Sequence, residues 1–450
     1  MPDITDPFFR KVTTLPLPEG LGEPGWLSSV RRAGQDRYRK TGLPTSRMET
    51  WKFTSLAGLI GQDFVLDSGE QAPVLDVLPV DRMPSVEGYR CVLINGRVSR
   101  ALSSLEMLPP GVEVLDLASQ LHQGDEVLKS LIEEGMIGPE MPMVALNTLF
   151  LGMEPGLVLR IADGVLVDKP LHIVSIHAAG TRPVAYHPRL VVIAGAGSRA
   201  TLLESHLGFE GPSTLSNAVT SISLGEGAIL HHYRLHGGSD ATHLIEMTEV
   251  DVKTGGQYEN FSLSLGGKLI RNEVQVLLRG PNAECQLSGA YAVDGRKHVD
   301  NTIRVEHDAP HTTSRQNFRG ILDDSGHGVF QGKILVARGA RQTDGQQLHK
   351  ALLLSRSAEV DCKPELEIYT DEVKCSHGAT AGEMDEEALF FLRSRGLDAD
   401  SARALLIEAY LNDVIEDIRV ASVREAYKAL VSDWLSRRRA ISGSVREGVE

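Results

Sequence analysis

From Leu157 to Ile368 apolar positions come in short runs bounded by glycine and polar residues. Leu190-Val191-Val192-Ile193, Thr201-Leu202-Leu203-Glu204, Ile222-Ser223-Leu224 and Glu273-Val274-Gln275-Val276-Leu277-Leu278 read as strands, because aliphatic and β-branched side chains suit a pleated, half-buried surface. Helix-forming stretches are nearly absent there, which argues against alternating β–α units. Glycines punctuate the runs at Gly195/Gly197, Gly225/Gly227 and Gly255/Gly256, and Gly280, Gly326/Gly328 and Gly339 continue with looser spacing. Short strands at a coarse period fit a solenoid, in which each coil stacks its backbone on the next, and also a large sandwich or barrel. An aromatic content of only 5 % favours the solenoid, whose narrow interior takes ladders of small aliphatic residues. The expectation is a mainly β chain with a right-handed parallel β-helix core.

The flanks have a different texture. Trp26, Val30 and Ala33 share one face of a helix that Gly42-Leu43-Pro44 stops, and two more helices are predicted over 126–134 and 142–151. Between them, Asn95-Gly96 joins strand formers, a strong hairpin signal because both turn positions need positive φ. After Gly382 the period becomes helical. Asp385 is placed to cap a helix ended by Gly396, and Ser401 to cap the next, where Ala402, Leu405, Leu406, Ala409 and Tyr410 share a stripe. A third helix is predicted over 420–435, ahead of the basic run Arg437-Arg438-Arg439. The expected organisation is an N-terminal mixed, largely helical segment over 1–155, a β-helix over 156–380 and a helical segment over 381–450.

A chain of 450 residues exceeds one ordinary core, and its 46 Lys and Arg against 60 Asp and Glu give a net charge of −14. Such a surface repels phosphate backbones and anionic lipid, which speaks against nucleic-acid or membrane partners. No apolar run approaches the ~18 residues that cross a bilayer. The start, Met1-Pro2-Asp3-Ile4-Thr5-Asp6, lacks a basic stretch followed by an apolar one, so a cytoplasmic location is expected. Cys91, Cys285, Cys362 and Cys375 are too scattered for a disulfide framework.

Several motifs resolve into structural roles. Gly195-Ala196-Gly197-Ser198-Arg199-Ala200 has dinucleotide-fingerprint spacing, but a strand follows it where a helix N-terminus should meet the pyrophosphate. No phosphate-binding loop ending in Gly-Lys-Ser/Thr occurs, so any ATP is hydrolysed by a partner, and no nucleophile elbow supports a hydrolase. His231 and His232 are adjacent in a strand and point to opposite faces, while His307 and His311 are expected at the surface or in a turn. Asp323-Asp324 suggests a loop rather than a glycosidase pair.

One segment differs. Cys362, Cys375 and His377 lie close together at the junction of strands and helices, and Cys375 and His377 have the spacing of one strand face. Thiolate and neutral imidazole are ligands for zinc and iron–sulfur clusters, and three such groups cannot close a four-ligand site. Two buried small residues and a satisfied histidine remain the structural alternative.

The residues around this segment form a pattern. Thr312-Thr313-Ser314, Gly328-Val329-Phe330-Gln331-Gly332-Lys333-Ile334, Gln342-Thr343-Asp344-Gly345-Gln346-Gln347, Pro364-Glu365-Leu366-Glu367-Ile368 and Val373-Lys374-Cys375-Ser376-His377-Gly378-Ala379-Thr380 together resemble the SufB/SufD family of iron–sulfur cluster assembly scaffolds. The likeness is dense over 271–411, with a weaker match at Trp51-Lys52-Phe53-Thr54. His377-Gly378, where the SufB form has His-Glu, is similar to the SufD branch. Departures at Gly345 and Phe391 are expected away from the candidate ligands.

The resemblance implies a non-catalytic scaffold that pairs with a SufB-type subunit and binds a SufC-type ABC ATPase through its C-terminal helices. It implies a transient iron–sulfur cluster at the subunit interface, with none held stably by this chain alone and reduced flavin as a candidate component of the complex. His377 matches a histidine implicated in nascent cluster formation, Cys375 a neighbouring cysteine, and Cys362 is the weakest of the three candidate ligands. Rival readings are a SufB-like paralogue, a β-helix enzyme acting on polysaccharide, and a homodimer joined along the β-helix.

Overall fold

The computed structural model describes residues 9, 12, 24–67, 69, 78–134 and 141–447. Its centre is a parallel β-solenoid of about 8 turns. Sheet one contains β1 (Gly156–Ile161), β3 (Arg189–Ala194), β5 (Thr214–Leu224), β7 (Thr242–Val252), β9 (Leu269–Leu278), β11 (His298–His307), β13 (His327–Val336) and β15 (Glu359–Ile368). Sheet two contains β2 (Leu171–His177), β4 (Arg199–Gly208), β6 (Ile229–Gly237), β8 (Gln257–Gly266), β10 (Glu284–Val293), β12 (Thr313–Leu322), β14 (Thr343–Leu353) and β16 (Val373–Gly382). The chain therefore alternates between sheets, and each strand pairs in parallel with the one a coil earlier.

One corner explains the glycine spacing. Gly164, Gly197, Gly227 and Gly255 all adopt φ between 63° and 69°, and each donates its N–H to the corner of the next coil. Asn282, His311 and Gln342 take the same place in later coils with φ of 59–61° and the same inter-coil bond. The left-handed conformation is thus set by the corner, and glycine is only its cheapest occupant. The period loosens because the residue type changes while the geometry does not. The Gly195–Ala200 motif is one of these corners, followed by β4 as expected.

The interior departs from the expected aliphatic ladder. Leu159, Val192, Leu202, Ile222, Leu230, Val250, Val276 and Leu287 do fill part of it. In the middle coils, however, Glu204, His206, His232, Arg234, His236 and Glu246 are all buried. Glu246 lies 2.9 Å from His206 Nε2 and 2.8 Å from His236 Nε2. Burial alone would raise the Glu246 carboxyl, but these two rings hold it well below the usual carboxylate range. Burial would likewise lower His206, yet Glu246 and Glu204 raise it. Buried charges survive only when paired in this way. His307 is also buried rather than at the surface, bonded to Thr312 and Ser314, whereas His311 occupies the turn. His231 and His232 do face opposite ways, toward Glu259 and Glu204 respectively.

The N-terminal segment is not a detached unit. Tyr89–Ile94 pairs in parallel with β2, and Val112–Asp116 runs antiparallel to β1, closing that end of the solenoid. The Asn95-Gly96 hairpin forms, with φ of 47° and 81°. Helices α1 (Gly25–Thr41), α2 (Leu117–His122), α3 (Glu126–Glu134) and α4 (Pro142–Leu149) cover this region. Trp51 stacks on Arg271 with 4.0 Å between guanidinium carbon and ring centre, while the Thr54 hydroxyl donates to Asp300, which also pairs with Arg271. The short Trp-Lys-Phe-Thr motif therefore clamps the N-terminal segment onto sheet one.

At the other end lie α5 (Glu386–Ser394), α6 (Ala399–Ile415) and α7 (Ala421–Glu447). Asp385 caps α5 as expected, but Asp398 rather than Ser401 caps α6, its carboxylate accepting from the Ser401 N–H at 2.8 Å. The last helix runs through the basic stretch instead of ending at it. Ile407, Leu411, Val414, Val423, Tyr427 and Val431 pack with Tyr233, Phe261 and Ile321 of sheet two.

The buried histidines set a pH dependence. Burial pushes His172, His177 and His187 down to about 3. Groups depressed when folded stabilise the fold above their unfolded pKa of about 6.5 and lose that contribution as pH falls. Each such ring adds a slope of about 1.4 kcal/mol per pH unit. Urea unfolding midpoints should drop steeply from pH 6.5 to pH 4; a flat profile would mean these rings are charged in the native interior.

Candidate functional site

The solenoid is closed at its N-terminal end and open at the other. β15 and β16 terminate their sheets, so among the described residues one edge of each has no strand partner. Pro364 is tolerated in β15 because an edge strand has one side that needs no N–H. Lys363, Glu365, Glu367 and Lys374 place charge along this edge, which guards it against indiscriminate pairing.

The register fixes the three candidate ligands. Cys362 pairs with Phe330, Cys375 with Gly345 and His377 with Gln347. Cys375 and His377 lie two residues apart in β16 and share one face. Cys375 packs partly against the cluster of Ile334, Val336 and Ala340. His377 is exposed in register with Gln347 and Gln316 and borders an open groove whose other walls include Arg315, Asn317, Leu348 and Asp417. Asp417, just beyond α6, accepts from Ser288 Oγ at 2.9 Å and Asn317 Nδ2 at 2.8 Å, which anchors the C-terminal helices beside that groove.

Cys362 belongs to the opposite sheet and has a partner that sequence reasoning missed. Its Sγ lies 3.0 Å from His349 Nδ1, and His349 Nε2 lies 2.8 Å from the Tyr291 hydroxyl. His349 also stacks on Phe330 at 4.8 Å. Strand parity could have placed His349 inward, but nothing in the sequence says which coil supplies its neighbour. Among the described residues, Cys362, Cys375 and His377 do not bring three ligand atoms within 4.8 Å of one another.

Burial pushes the Cys362 thiol up to about 11 and His349 down to about 4. It raises Cys375 as well, opposed by the Gly345 N–H. Gly345 therefore does touch a candidate ligand, contrary to expectation: a Cβ there would sit 3.4 Å from the Cys375 sulfur. Both thiols are protonated at neutral pH, and a metal would have to displace their protons. What the chain itself presents is one accessible imidazole on an open sheet edge, with a half-buried thiol beside it.

Residues 176–410 match the family described as "SUF system FeS cluster assembly, SufBD core domain", and residues 22–173 match the SufBD protein N-terminal region. A SufBD family protein of Synechocystis sp. is 31 % identical over 418 residues, 90 % of each chain. The Escherichia coli iron–sulfur cluster assembly protein SufD is 30 % identical over 400 residues, covering 88 % of this chain and 90 % of that one. Protein ABCI7, chloroplastic, of Arabidopsis thaliana is 28 % identical, covering 89 % and 84 %.

Burial separates Cys91 and Cys285 from the two half-buried thiols, and the contact with His349 holds Cys362 back relative to Cys375. Cys375 should alkylate first in the native chain at pH 8, Cys362 more slowly, and Cys91 and Cys285 only on unfolding, since both are buried. Peptide mass spectrometry after timed iodoacetamide quenching reads this order; early labelling of Cys285 would contradict it.

Proposed function

The chain belongs to the SufBD family of the SUF iron–sulfur cluster assembly system, and we propose that it is a SufD-type scaffold subunit working in the cytoplasm beside a SufB-type partner. No helix among the described residues is long and apolar enough to cross a membrane. The observation that carries this reading is the open end of the solenoid. Its strand edges, unpaired among the described residues, are a template for a second β-helix, and His377 stands exposed on one of them. Joining a partner there adds backbone hydrogen bonds and brings foreign ligands to His377.

In this reading the nascent cluster is cargo. His377 supplies one imidazole nitrogen, Cys375 is an auxiliary ligand two residues away, and the partner supplies the rest. An incomplete, mixed ligand set suits a transfer station, because four cysteines would release a cluster slowly. Cys362 serves less well, since its sulfur is turned toward His349. A reduced flavin remains a candidate member of the complex, and no residue here is assigned to it.

The SufC-type ATPase docks on the C-terminal helices. Ile407, Leu411 and Val414 of α6 and the buried face of α7 cover sheet two, so the stripe expected on α6 is only partly the buried face: Leu405 and Ala409 in it are exposed. Phe390 is 75 % exposed and Phe391 56 %, both on α5, with Leu405 at 46 % on α6. Large exposed aromatics of this kind mark interaction sites. ATP-driven closure of two ATPase subunits on these helices shifts the paired scaffolds toward a conformation that opens the cluster site, because the nucleotide-bound ATPase pair binds that conformation better.

His377→Ala, co-expressed with both partners, should leave the complex intact and lower its cluster content about tenfold or more, since losing even a group that only orients a ligand costs about 10–100-fold in metal affinity. Unchanged iron and sulfide in the purified complex would reject the ligand role. Phe390→Asp with Phe391→Asp should weaken ATPase co-purification by about 2 kcal/mol or more if these rings are interface anchors. Undiminished capture would place the docking surface elsewhere.

A further inference from the structure

On the other sheet of the terminal coils, four side chains that neither the cluster reading nor any comparison uses come together. His298, His327 and Glu359 occupy the same register position on β11, β13 and β15, and Asp361 follows two residues along β15. His327, Glu359 and Asp361 each bring one ligand atom within 4.8 Å of the other two. The Asp361 carboxylate lies 2.8 Å from His327 Nε2.

The hydrogen-bond chain behind His327 decides what that nitrogen carries. Asp300 is a buried carboxylate paired with Arg271, and it accepts the single proton of the Thr54 hydroxyl. The Thr54 oxygen is then left to accept from His298 Nε2, which lies 2.9 Å away. In the neutral ring the one proton then sits on Nε2, where the Thr54 oxygen accepts it. Its Nδ1 is a lone pair 3.2 Å from His327 Nδ1, which must therefore donate. His327 Nε2 is left turned to the carboxylates of Glu359 and Asp361. A ligating histidine whose other N–H is fixed by an outer acceptor is the usual arrangement in protein metal sites.

We propose that His327 Nε2, Glu359 and Asp361 form a binding site for a divalent first-row transition cation on the outer face of sheet one. One imidazole and two carboxylates match the ligand preferences of such ions rather than those of soft monovalent copper. Glu359 is exposed, which gives the ion an entry path and leaves coordination positions for water. Lys363, the nearest cation along β15, is occupied by Glu49 and Glu365. Because Thr54 belongs to the clamp that fastens the N-terminal segment, an ion here reinforces the junction between that segment and the terminal coils.

The site is independent of His377, so the test uses the full chain with Cys375→Ser and His377→Ala as background. Calorimetric titration with cobalt chloride should show one equivalent bound. Glu359→Gln and Asp361→Asn should each weaken it at least tenfold. Glu359→Gln alters an exposed side chain, so its cobalt-free melting temperature should match the background, while the cobalt-induced rise should disappear. Absence of binding in the background chain, or equal affinity after Glu359→Gln and His327→Gln, would overturn the assignment.

Discussion

The bond between one coil's corner and the next coil's backbone is the constraint on which everything else rests. At each such corner a residue in the left-handed conformation donates its N–H to a carbonyl of the following coil, from Gly164 to Gln342. Together with parallel pairing in both sheets, these bonds fix the stacking of successive coils. Glycine where it occurs lowers the conformational cost, and Asn282, His311 and Gln342 show that packing overrides it where it does not.

A solenoid built by stacking must end, and this one ends differently on its two sides. The antiparallel strand Val112–Asp116 and the covering helices close the first side. Among the described residues, the last coil keeps its hydrogen-bonding edges open and carries charged side chains and a proline along them. That asymmetry turns a repetitive scaffold into one with a polarity. The candidate cluster ligands sit at the unfinished end, and the C-terminal helices fold back over sheet two to flank them. Asp417 is the tie between those helices and the groove that His377 lines.

The interior shows how little of a β-helix need be aliphatic. Two buried glutamates, an arginine and three histidines coexist in the middle coils because the glutamates pair with the histidines, while Arg234 bonds to Thr248 and Asn260 and lies 3.9 Å from Glu246. Removing one partner would strand another in a dry interior, where desolvation exceeds what the remaining contacts return. The terminal coils use the same device, with His349 between Cys362 and Tyr291, and Thr54 between His298 and Asp300.

Local geometry was legible in the sequence. Short runs of aliphatic and β-branched residues broken by glycine marked the strands, Asn95-Gly96 the hairpin, and Asp385 and Gly396 the ends of a helix, because each depends on neighbours a few residues away. The motif around Cys375 and His377 was legible as well, since its residues are contiguous on one strand. What pairs coil with coil was not. Thr54 meets His298 across 244 positions, and Glu259 reaches the backbone of Arg419 across 160. No periodicity encodes such separations. The polar belt around Glu246, the thiol contact of His349 and the carboxylates facing His327 exist only because particular coils came to rest on one another, and that choice belongs to the packed chain.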